Sequence, residues 1–298
     1  MIRLDKCNMC PRECGIDRTS GQIGFCSAGK DVVVSKIMLH KWEEPCISGE
    51  NGAGTVFFSG CSLKCRYCQN YSISRELHGK TLDKDGLADV FLKLRDKGAQ
   101  NIELITPTHF TLQIIGSLEK VKDRLGIPVI WNSGGYEKTE TLRLLDGLVD
   151  AYLPDVKYFD NDLSVAFSCA DDYFTYAKNA ILEMYRQVGE FTTDEKGMIK
   201  KGLMIRHLVL PGHRKDSEKI LRELADILPV GKIRLSLMSQ YTPYIHDEKY
   251  KELNRKLTTF EYNEALNIAD ELGFDGYSQE RTSSKQEYTP DFSEFDGI

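Results

Sequence analysis

TVFFSGCSLKCRYC, residues 55–68, is the stretch that decides the fold. It joins a short apolar run, which predicts a buried strand, to a loop that carries three cysteines in eight residues. Cys61, Cys65 and Cys68 form a ligand set that is one short of four. Thiolates this close together can hold three corners of a four-iron cluster and leave the fourth iron open to a chelating small molecule. The segment therefore predicts a reactive metal centre at the end of a strand.

Two other interpretations of these cysteines fit less well. Zinc sites usually place their cysteines in two well-separated pairs, and after Cys68 the chain has only Cys169. A disulfide framework is disfavoured by the odd count of nine cysteines and by residues 1–6, which lack an apolar signal-peptide core. We therefore expect reduced thiols and a cytoplasmic location.

Length and charge narrow the class of protein. The 298 residues suit one barrel-like domain with a small accessory module. No apolar run approaches the roughly 18 residues that would span a membrane, so we expect no membrane association. The net charge of −6 argues against a broad nucleic-acid-binding surface.

A second group of cysteines lies in the first 50 residues. Its members are Cys7, Cys10, Cys14 and Cys26. Four thiolates suffice to close a zinc site or an auxiliary iron–sulfur cluster, and nearby glycines would let the loop turn tightly. Unligated core thiols are the third interpretation. We favour zinc because a small loop-rich module gains folding energy from a bound ion. Cys46 and Cys169 are expected to be ordinary thiols.

From residue 51 onward, short apolar runs alternate with amphipathic stretches, which predicts βα units around a parallel sheet. Strands are predicted at 55–58, 102–105, 129–131, 151–156, 203–209 and 233–237. Helices are predicted at 87–97, 112–124, 140–148, 173–188, 217–227 and 261–272. We divide the chain into a cysteine-rich module at 1–50, a barrel at 51–280 and a polar tail at 281–298.

The Cys-x3-Cys-x2-Cys spacing, with Tyr67 before the last cysteine, resembles the signature of the radical S-adenosylmethionine (SAM) enzymes. This resemblance implies an α/β fold, a partial (β/α)6 TIM-type barrel whose chemistry sits at the carboxyl ends of the strands. It also implies that Cys61, Cys65 and Cys68 hold a [4Fe-4S] cluster whose open iron binds SAM. One electron from that cluster would cleave SAM to methionine and a 5′-deoxyadenosyl radical, which removes hydrogen from a substrate.

Within that superfamily, the chain resembles the activating enzymes of glycyl-radical proteins, which implies a set of cofactor contacts. Asp155 and Lys157 look like that group's Asp-x-Lys motif, which contacts the ribose and methionine parts of SAM. Arg206 resembles the arginine that approaches the methionine carboxylate, a contact suited to a guanidinium. The other implied contacts are Tyr67 beside the adenine, Asn132 and Ser133 near the ribose hydroxyls, and Gln240 after the sixth strand.

One segment departs from that group. Its Gly-Gly-Glu, which supports the methionine amino group, is replaced here by Thr106-Pro107-Thr108-His109. We expect Thr106, Thr108 or a backbone carbonyl to take over that hydrogen bond. His109 and His207 are either core histidines or functional ones. Asp155 and Lys157 share one face of a strand, so a simple salt bridge at the rim is the alternative to cofactor binding.

The predicted function is a radical SAM oxidoreductase that activates a partner protein by removing hydrogen from a glycine Cα. The resemblance implies a flavodoxin or ferredoxin as electron donor and a glycyl radical enzyme as protein substrate. Radical modification of a small molecule, peptide or RNA base is the second interpretation. A non-catalytic iron–sulfur or zinc protein that senses redox state or scaffolds a partner is the third.

Overall fold

The computed structural model describes residues 1–279 and 290–297. Its strands are β1 Val32–His40, β2 Ala53–Phe58, β3 Lys80–Leu82, β4 Ile102–Ile105, β5 Val129–Ser133, β6 Ala151–Pro154, β7 Thr192–Thr193, β8 Ile199–Leu208, β9 Arg234–Met238, β10 Gly276–Ser278 and β11 Asp296–Gly297. Its α-helices are α1 Pro45–Ser48, α2 Tyr71–Arg75, α3 Lys84–Asp96, α4 Thr111–Leu125, α5 Thr139–Leu142, α6 Asn161–Ser168, α7 Tyr173–Val188, α8 Arg214–Ile227 and α9 Thr259–Glu271.

The sheet runs in the order β10-β9-β8-β6-β5-β4-β2-β1-β11. All neighbours from β2 to β10 pair in parallel, whereas β1 pairs antiparallel with β2. The order is open, with β10 at one end and β11 at the other. The predicted α/β partial barrel is therefore confirmed. The hydrophobic pattern missed β1, which precedes the first predicted strand, and the short β10, which follows the last.

Alternate side chains of the parallel strands face two different cores. On β5, Trp131 packs with the helical layer, whereas Ile130 packs inside the barrel. The neighbouring strand repeats this division, with Tyr152 outside and Leu153 inside. Each large apolar side chain buried in this way contributes about 1.5–3 kcal/mol. Met204 and the other inner residues fill the lower interior of the barrel, and the cavity that contains the cysteine loop lies at the carboxyl ends of the strands.

All six predicted helices are present, although one of them is shorter than predicted, and the short helices α1 and α2 were not predicted. The predicted helix at 140–148 is shorter, because α5 ends at Leu142 and a 3-10 turn, Arg143–Leu145, leads into Gly147 with φ +80°. The helix α6 was not predicted. Its C-terminus is capped by Cys169 in a left-handed conformation, with φ +49°. None of the described helices is both long and apolar enough to cross a membrane.

The N-terminal residues and the end of the chain pack on the barrel. Arg18 is buried and donates to the carbonyl oxygens of Gly29 and His109, each at 2.6 Å. Near the C-terminus, the ring of Phe292 lies 5.4 Å from that of Phe57, and β11 pairs with β1. Residues 281–289 of the predicted tail, together with 280 and 298, lie outside the described residues.

Candidate active site

One cavity opens at the carboxyl ends of the parallel strands, with a volume of about 1300 Å³ including its open mouth. Cys61, Cys65 and Cys68 line it. The structure brings most of the predicted cofactor contacts to the same cavity, namely Tyr67, Thr106, Asn132, Ser133, Asp155, Lys157, Arg206 and Gln240. These residues meet because successive parallel strands end at the same edge of the sheet.

The turn that begins the cysteine loop depends on Gly60, whose φ is +85°. A Cβ at this position would lie 2.3 Å from the carbonyl oxygen of Cys26, so only glycine fits. The amide of Cys61 donates to that same carbonyl over 3.2 Å. At the other end of the loop, the amide of Arg66 donates to the carbonyl of Phe167 over 2.8 Å. The loop is therefore held between the N-terminal module and α6.

The three thiols of this loop influence one another. The hydroxyl of Ser168 donates to Cys65 Sγ over 3.0 Å, and the amide of Leu63 approaches Cys61 Sγ at 3.4 Å. Burial, together with the charges of Cys65 and Cys61, raises the pKa of Cys68 to about 12. Such thiols lose their protons readily only when a cation binds them. This donor set fits a [4Fe-4S] cluster with one iron left open.

Tyr67 forms part of the aromatic wall of the cavity. Its ring centroid lies 6.3 Å from that of Tyr158, 6.2 Å from that of Phe167 and 6.0 Å from that of Tyr241. Burial raises the pKa of Tyr67 well above its ordinary value, so the phenol stays neutral. The position beside the last cysteine of the loop thus presents a flat, uncharged surface to the cavity.

The end of β6 supplies an ion pair to the cavity. Lys157 Nζ donates to Asp155 Oδ2 over 2.6 Å, so the salt bridge that strand spacing allows is present, and both residues also line the cavity. Burial lowers the pKa of Lys157, but Asp155 and Cys65 outweigh it and hold the pKa well above its ordinary value. The hydroxyl of Tyr173 lies 2.9 Å from the Asp155 carbonyl and accepts from the Lys157 amide over 3.0 Å.

Arg206 is held by carboxylates that sequence reasoning missed. Its Nη1 donates to Glu43 Oε2 over 2.7 Å, and its Nε lies 3.6 Å from Glu44 Oε1 and 3.9 Å from Asp155 Oδ1. Burial lowers the pKa of Arg206, but Glu44, Glu43 and Asp155 together raise it above its ordinary value. The sequence feature that could have indicated these carboxylates is the adjacent acidic pair Glu43-Glu44, directly before Pro45 at the start of α1.

Glu103 on β4 lies in the barrel interior beside this ion cluster. It is 0% exposed, and its Oε1 accepts a hydrogen bond from Asn132 Nδ2 over 2.8 Å. Its Oε2 has no hydrogen-bond partner within the described chain. Burial and the negative charge of Glu43 raise the pKa of Glu103 well above its ordinary value. Glu103 thus fixes the Asn132 amide near the end of β5.

Thr108 does not line the cavity, unlike the other predicted contacts. Its hydroxyl donates to Glu137 Oε1 over 3.0 Å, because the 3-10 turn Thr108–Phe110 directs it into the protein. Glu137 also accepts from Trp131 Nε1 at 3.0 Å and from the Ser133 hydroxyl at 2.5 Å. Sequence reasoning missed this buried carboxylate, which fixes Ser133 at the end of β5.

His109 and His207, for which the sequence allowed either a core or a functional role, are core residues. His109 Nε2 lies 2.8 Å from the carbonyl oxygen of Ser59, and burial lowers the pKa of His109 to about 3. His207 contacts the Val156 carbonyl at 2.6 Å through Nδ1 and the Ser217 hydroxyl at 2.8 Å through Nε2. Both rings therefore link neighbouring segments of the barrel. Cys46 is also buried, in the lower interior core.

The four N-terminal cysteines are neighbours. A Cβ at Gly24 would lie 3.2 Å from Cys14 Sγ and 3.7 Å from Cys26 Sγ, so the chain returns closely upon itself here. Burial, with added effects of Cys26, Cys7 and Cys14, raises the pKa of Cys10 to about 12. Across residues 1–279 and 290–297, however, no group of three or more His, Cys, Asp or Glu side chains has the arrangement of a metal site. The module thus gathers four thiols without a preformed coordination shell.

Comparison with known proteins identifies relatives by sequence. The model of the radical SAM superfamily matches residues 55–224. Uncharacterized protein MJ0674 of Methanocaldococcus jannaschii is 31% identical over 279 residues, which cover 90% of this chain and 75% of that protein. The pyruvate formate-lyase-activating enzyme of Clostridium pasteurianum is 25% identical over 218 residues, which cover 70% of this chain and 82% of the enzyme.

Solved structures agree on the fold. A radical SAM methyltransferase from Sphaerobacter thermophilus superposes with a TM-score of 0.53 at 12% identity, over 76% of this chain and 66% of that one. SuiB of Streptococcus suis, bound to the precursor peptide SuiA, gives a TM-score of 0.50 at 13% identity, over 74% of this chain and 46% of that one. At these identities the likeness concerns the fold alone. The family match spans more than half of the chain, and the chain belongs to the radical SAM superfamily.

Proposed function

We propose that the chain cleaves SAM reductively and uses the resulting radical to remove a hydrogen atom from a partner protein. The observation that carries this proposal is the convergence on one cavity of three thiols with the polar ends of β4, β5, β6, β8 and β9. When bound, a [4Fe-4S] cluster would supply the electron that cleaves SAM to methionine and a 5′-deoxyadenosyl radical. Cys61, Cys65 and Cys68 would hold that cluster.

The polar residues have separate tasks in this proposal. Arg206 uses Nη1 for Glu43 and Nη2 for Met238 Sδ. Its Nε, 3.6 Å from Glu44 Oε1 and 3.9 Å from Asp155 Oδ1, forms no hydrogen bond within the described residues and would be left to meet a carboxylate of the cofactor. Asn132 and Ser133, fixed by Glu103 and Glu137, present groups suited to ribose hydroxyls. Barrel strands form walls of the cavity, which would limit the access of water to a reactive species.

The shape of the mouth favours a segment of protein as substrate. Trp42 lines the cavity and is 60% exposed, and Tyr244 lines it as well. An exposed aromatic side chain at an opening suits the docking of a peptide loop. A glycine Cα on such a loop could reach the cavity, and the Clostridium pasteurianum relative is named as an activating enzyme of pyruvate formate-lyase. The same opening keeps radical modification of a peptide as the second candidate function.

Reductive cleavage is tested by product analysis. Protein reconstituted anaerobically with iron and sulfide is incubated with dithionite and SAM, and 5′-deoxyadenosine is measured by liquid chromatography. We expect turnover with wild type and with Cys169→Ala, which removes an exposed thiol outside the cavity, but none with Cys65→Ala. Turnover retained by Cys65→Ala would refute the cluster assignment.

The partner is tested separately. Wild-type protein, SAM and a reductant are incubated with each co-encoded candidate protein, and electron paramagnetic resonance is recorded. A glycyl radical signal supports the activase proposal. If SAM is cleaved but no candidate acquires the signal, the activase proposal fails, and mass analysis of peptides from the mixture tests the second candidate function.

The N-terminal cysteines and the location of the protein extend this proposal. We propose that Cys7, Cys10, Cys14 and Cys26 bind zinc or a second iron–sulfur cluster. Metal analysis separates these outcomes, because about four irons and one zinc per chain indicate zinc, whereas about eight irons indicate two clusters. Seven thiols assigned to metals require reducing conditions, which agrees with a cytoplasmic protein.

A further inference from the structure

A basic surface adjoins both cysteine groups. It consists of three cationic side chains around two exposed aromatic rings, and we call it the Phe25 patch: Arg12, Phe25, Lys64, Tyr71 and Arg75. The rings of Phe25 and Tyr71 are 38% and 41% exposed. Arg12 Cζ lies 4.0 Å above the ring of Phe25, and Arg75 Cζ lies 4.8 Å above that of Tyr71. Lys64 Nζ lies 5.4 Å from the Phe25 ring.

The cations of the Phe25 patch are held by neutral groups in the part of the chain that the structure describes. Arg12 donates to backbone carbonyls, including that of Ser62 at 2.8 Å. Lys64 Nζ donates to the Ser27 hydroxyl over 2.6 Å, and Arg75 Nη2 donates to the Lys64 carbonyl over 2.7 Å. Within residues 1–279 and 290–297, none of the three forms an ion pair, whereas neighbouring Arg66 is paired with Asp247 at 3.1 Å. The surface depression that includes Phe25, Lys64, Tyr71 and Arg75 is also lined by two further cations, Arg66 and Lys249, and by two carboxylates, Asp247 and Glu248. Cations therefore outnumber carboxylates there in a chain whose net charge is −6.

The Phe25 patch lies directly over the backbone that carries the cysteines. Lys64 stands between Cys61 and Cys65, and Arg75 Nη2 lies 3.4 Å from the Cys65 carbonyl. Phe25 precedes Cys26, whose carbonyl accepts from the Cys61 amide. A molecule seated on this surface is therefore separated from both cysteine groups by little more than one layer of backbone.

We infer that the Phe25 patch is the docking surface for an acidic one-electron donor protein. This inference rests on the proposed function, because the reaction needs an electron at the cavity cysteines. Arginine and exposed aromatic residues are enriched at protein interfaces, and a positive patch orients an acidic partner. The negative net charge of the chain repels such a partner over the rest of the surface, so the partner binds preferentially at the Phe25 patch.

The test compares two charge reversals of equal size. Lys64→Glu alters the Phe25 patch, and among the described residues the one side-chain hydrogen bond that it removes is to Ser27. Lys215→Glu alters an exposed lysine on α8, whose side chain is 70% exposed. Reduced flavodoxin serves as the acidic donor. Its binding is measured by biolayer interferometry, and 5′-deoxyadenosine formation is measured with flavodoxin and, separately, with dithionite.

We expect Lys64→Glu to weaken flavodoxin binding about tenfold at low ionic strength, and Lys64→Gln to weaken it less. The difference from wild type should shrink at about 1 M salt, where the Debye length is about 3 Å. Lys215→Glu should bind like wild type. The dithionite-supported rate of Lys64→Glu should remain within about twofold of wild type, because a docking surface affects only a protein donor.

Three results would overturn the inference. They are absence of flavodoxin binding to wild type at low salt, equal weakening by Lys64→Glu and Lys215→Glu, and equal loss of the flavodoxin- and dithionite-supported rates. If wild type cleaves no SAM even with dithionite, the proposed function fails instead. The binding comparison still decides the docking surface in that case, because it requires no turnover.

Discussion

The buried ion cluster around Arg206 allows a quantitative prediction. Arg206 faces three carboxylates at 2.7, 3.6 and 3.9 Å, and the side chains of Glu43 and Glu44 are nearly inaccessible to solvent. Removing one partner of a buried ion pair costs about 3–5 kcal/mol, because the remaining charge is left unpaired. Because Arg206→Met leaves the two buried carboxylates Glu43 and Glu44 without their cation, we expect its loss of stability to lie in the upper part of that range.

The companion variant is Glu43→Gln, which keeps an oxygen close to Arg206 Nη1 but removes the charge. Loss of one charge-assisted hydrogen bond should cost about 1.5–3 kcal/mol. In the double variant, Glu43→Gln removes a buried charge that has already lost its partner. The double variant should therefore be more stable than the sum of the two losses implies, by about 1–3 kcal/mol.

The free energy of unfolding is measured by urea titration of the reduced, metal-free protein. Arg222→Met is the control, because Arg222 pairs with Glu218 on an exposed face at 3.2 Å and such pairs contribute about 0–1 kcal/mol. Additivity of the two single variants within about 0.5 kcal/mol would refute the account of a coupled cluster.

Three further predictions concern residues that support the site. Gly60→Ala should lose at least about 2 kcal/mol more stability than Gly98→Ala and should bind less iron. Both glycines have φ near +86°, but only at Gly60 would an added Cβ meet a carbonyl oxygen, that of Cys26 at 2.3 Å. Equal losses of the two variants in urea unfolding would contradict this. Glu137→Gln should lose about 1–3 kcal/mol of unfolding free energy, because an amide NH2 would replace a carboxylate oxygen that accepts hydrogen bonds from its neighbours. Those neighbours are Thr108, Trp131 and Ser133. Unchanged stability in urea would show that this network is unimportant. Burial lowers the pKa of His109 to about 3, so below about pH 6.5 the unfolded chain binds a proton at this residue and the folded chain does not. The wild type should therefore lose stability as the pH falls from about 6.5 to about 3, and His109→Gln should reduce that loss by up to about 1.4 kcal/mol per pH unit. An unchanged slope of unfolding free energy against pH would contradict the burial argument.

The fold and the position of the cavity could be predicted because they depend on local patterns. Apolar runs at 102–105 and 129–131 indicated β4 and β5, and the polar residues that follow them had to meet at one edge of a parallel sheet. The strand β1 was missed because its pattern is mixed, with Ser35 and Lys36 inside it, although both are buried. Lys36 is buried because its Nζ reaches the Asp291 carbonyl at 2.6 Å, far along the chain.

The partners of the site residues could not be predicted, because they come from distant segments. Glu43 reaches Arg206 across 163 positions, and no spacing rule connects them. Thr108 carries the right hydroxyl at the expected place, but the 3-10 turn directs it to Glu137. The Phe25 patch was missed for the same reason, since its five residues come from three separate stretches of the N-terminal third of the chain.

The most direct test of the central claim is electron paramagnetic resonance of the reconstituted, dithionite-reduced protein, recorded with and without SAM. We predict the signal of one reduced [4Fe-4S] cluster at Cys61, Cys65 and Cys68 whose shape changes when SAM is added, because SAM would bind the open iron. Cys169→Ala should show the same change, and Cys65→Ala should lose the signal that SAM changes. A wild-type spectrum that SAM leaves unchanged would contradict the account.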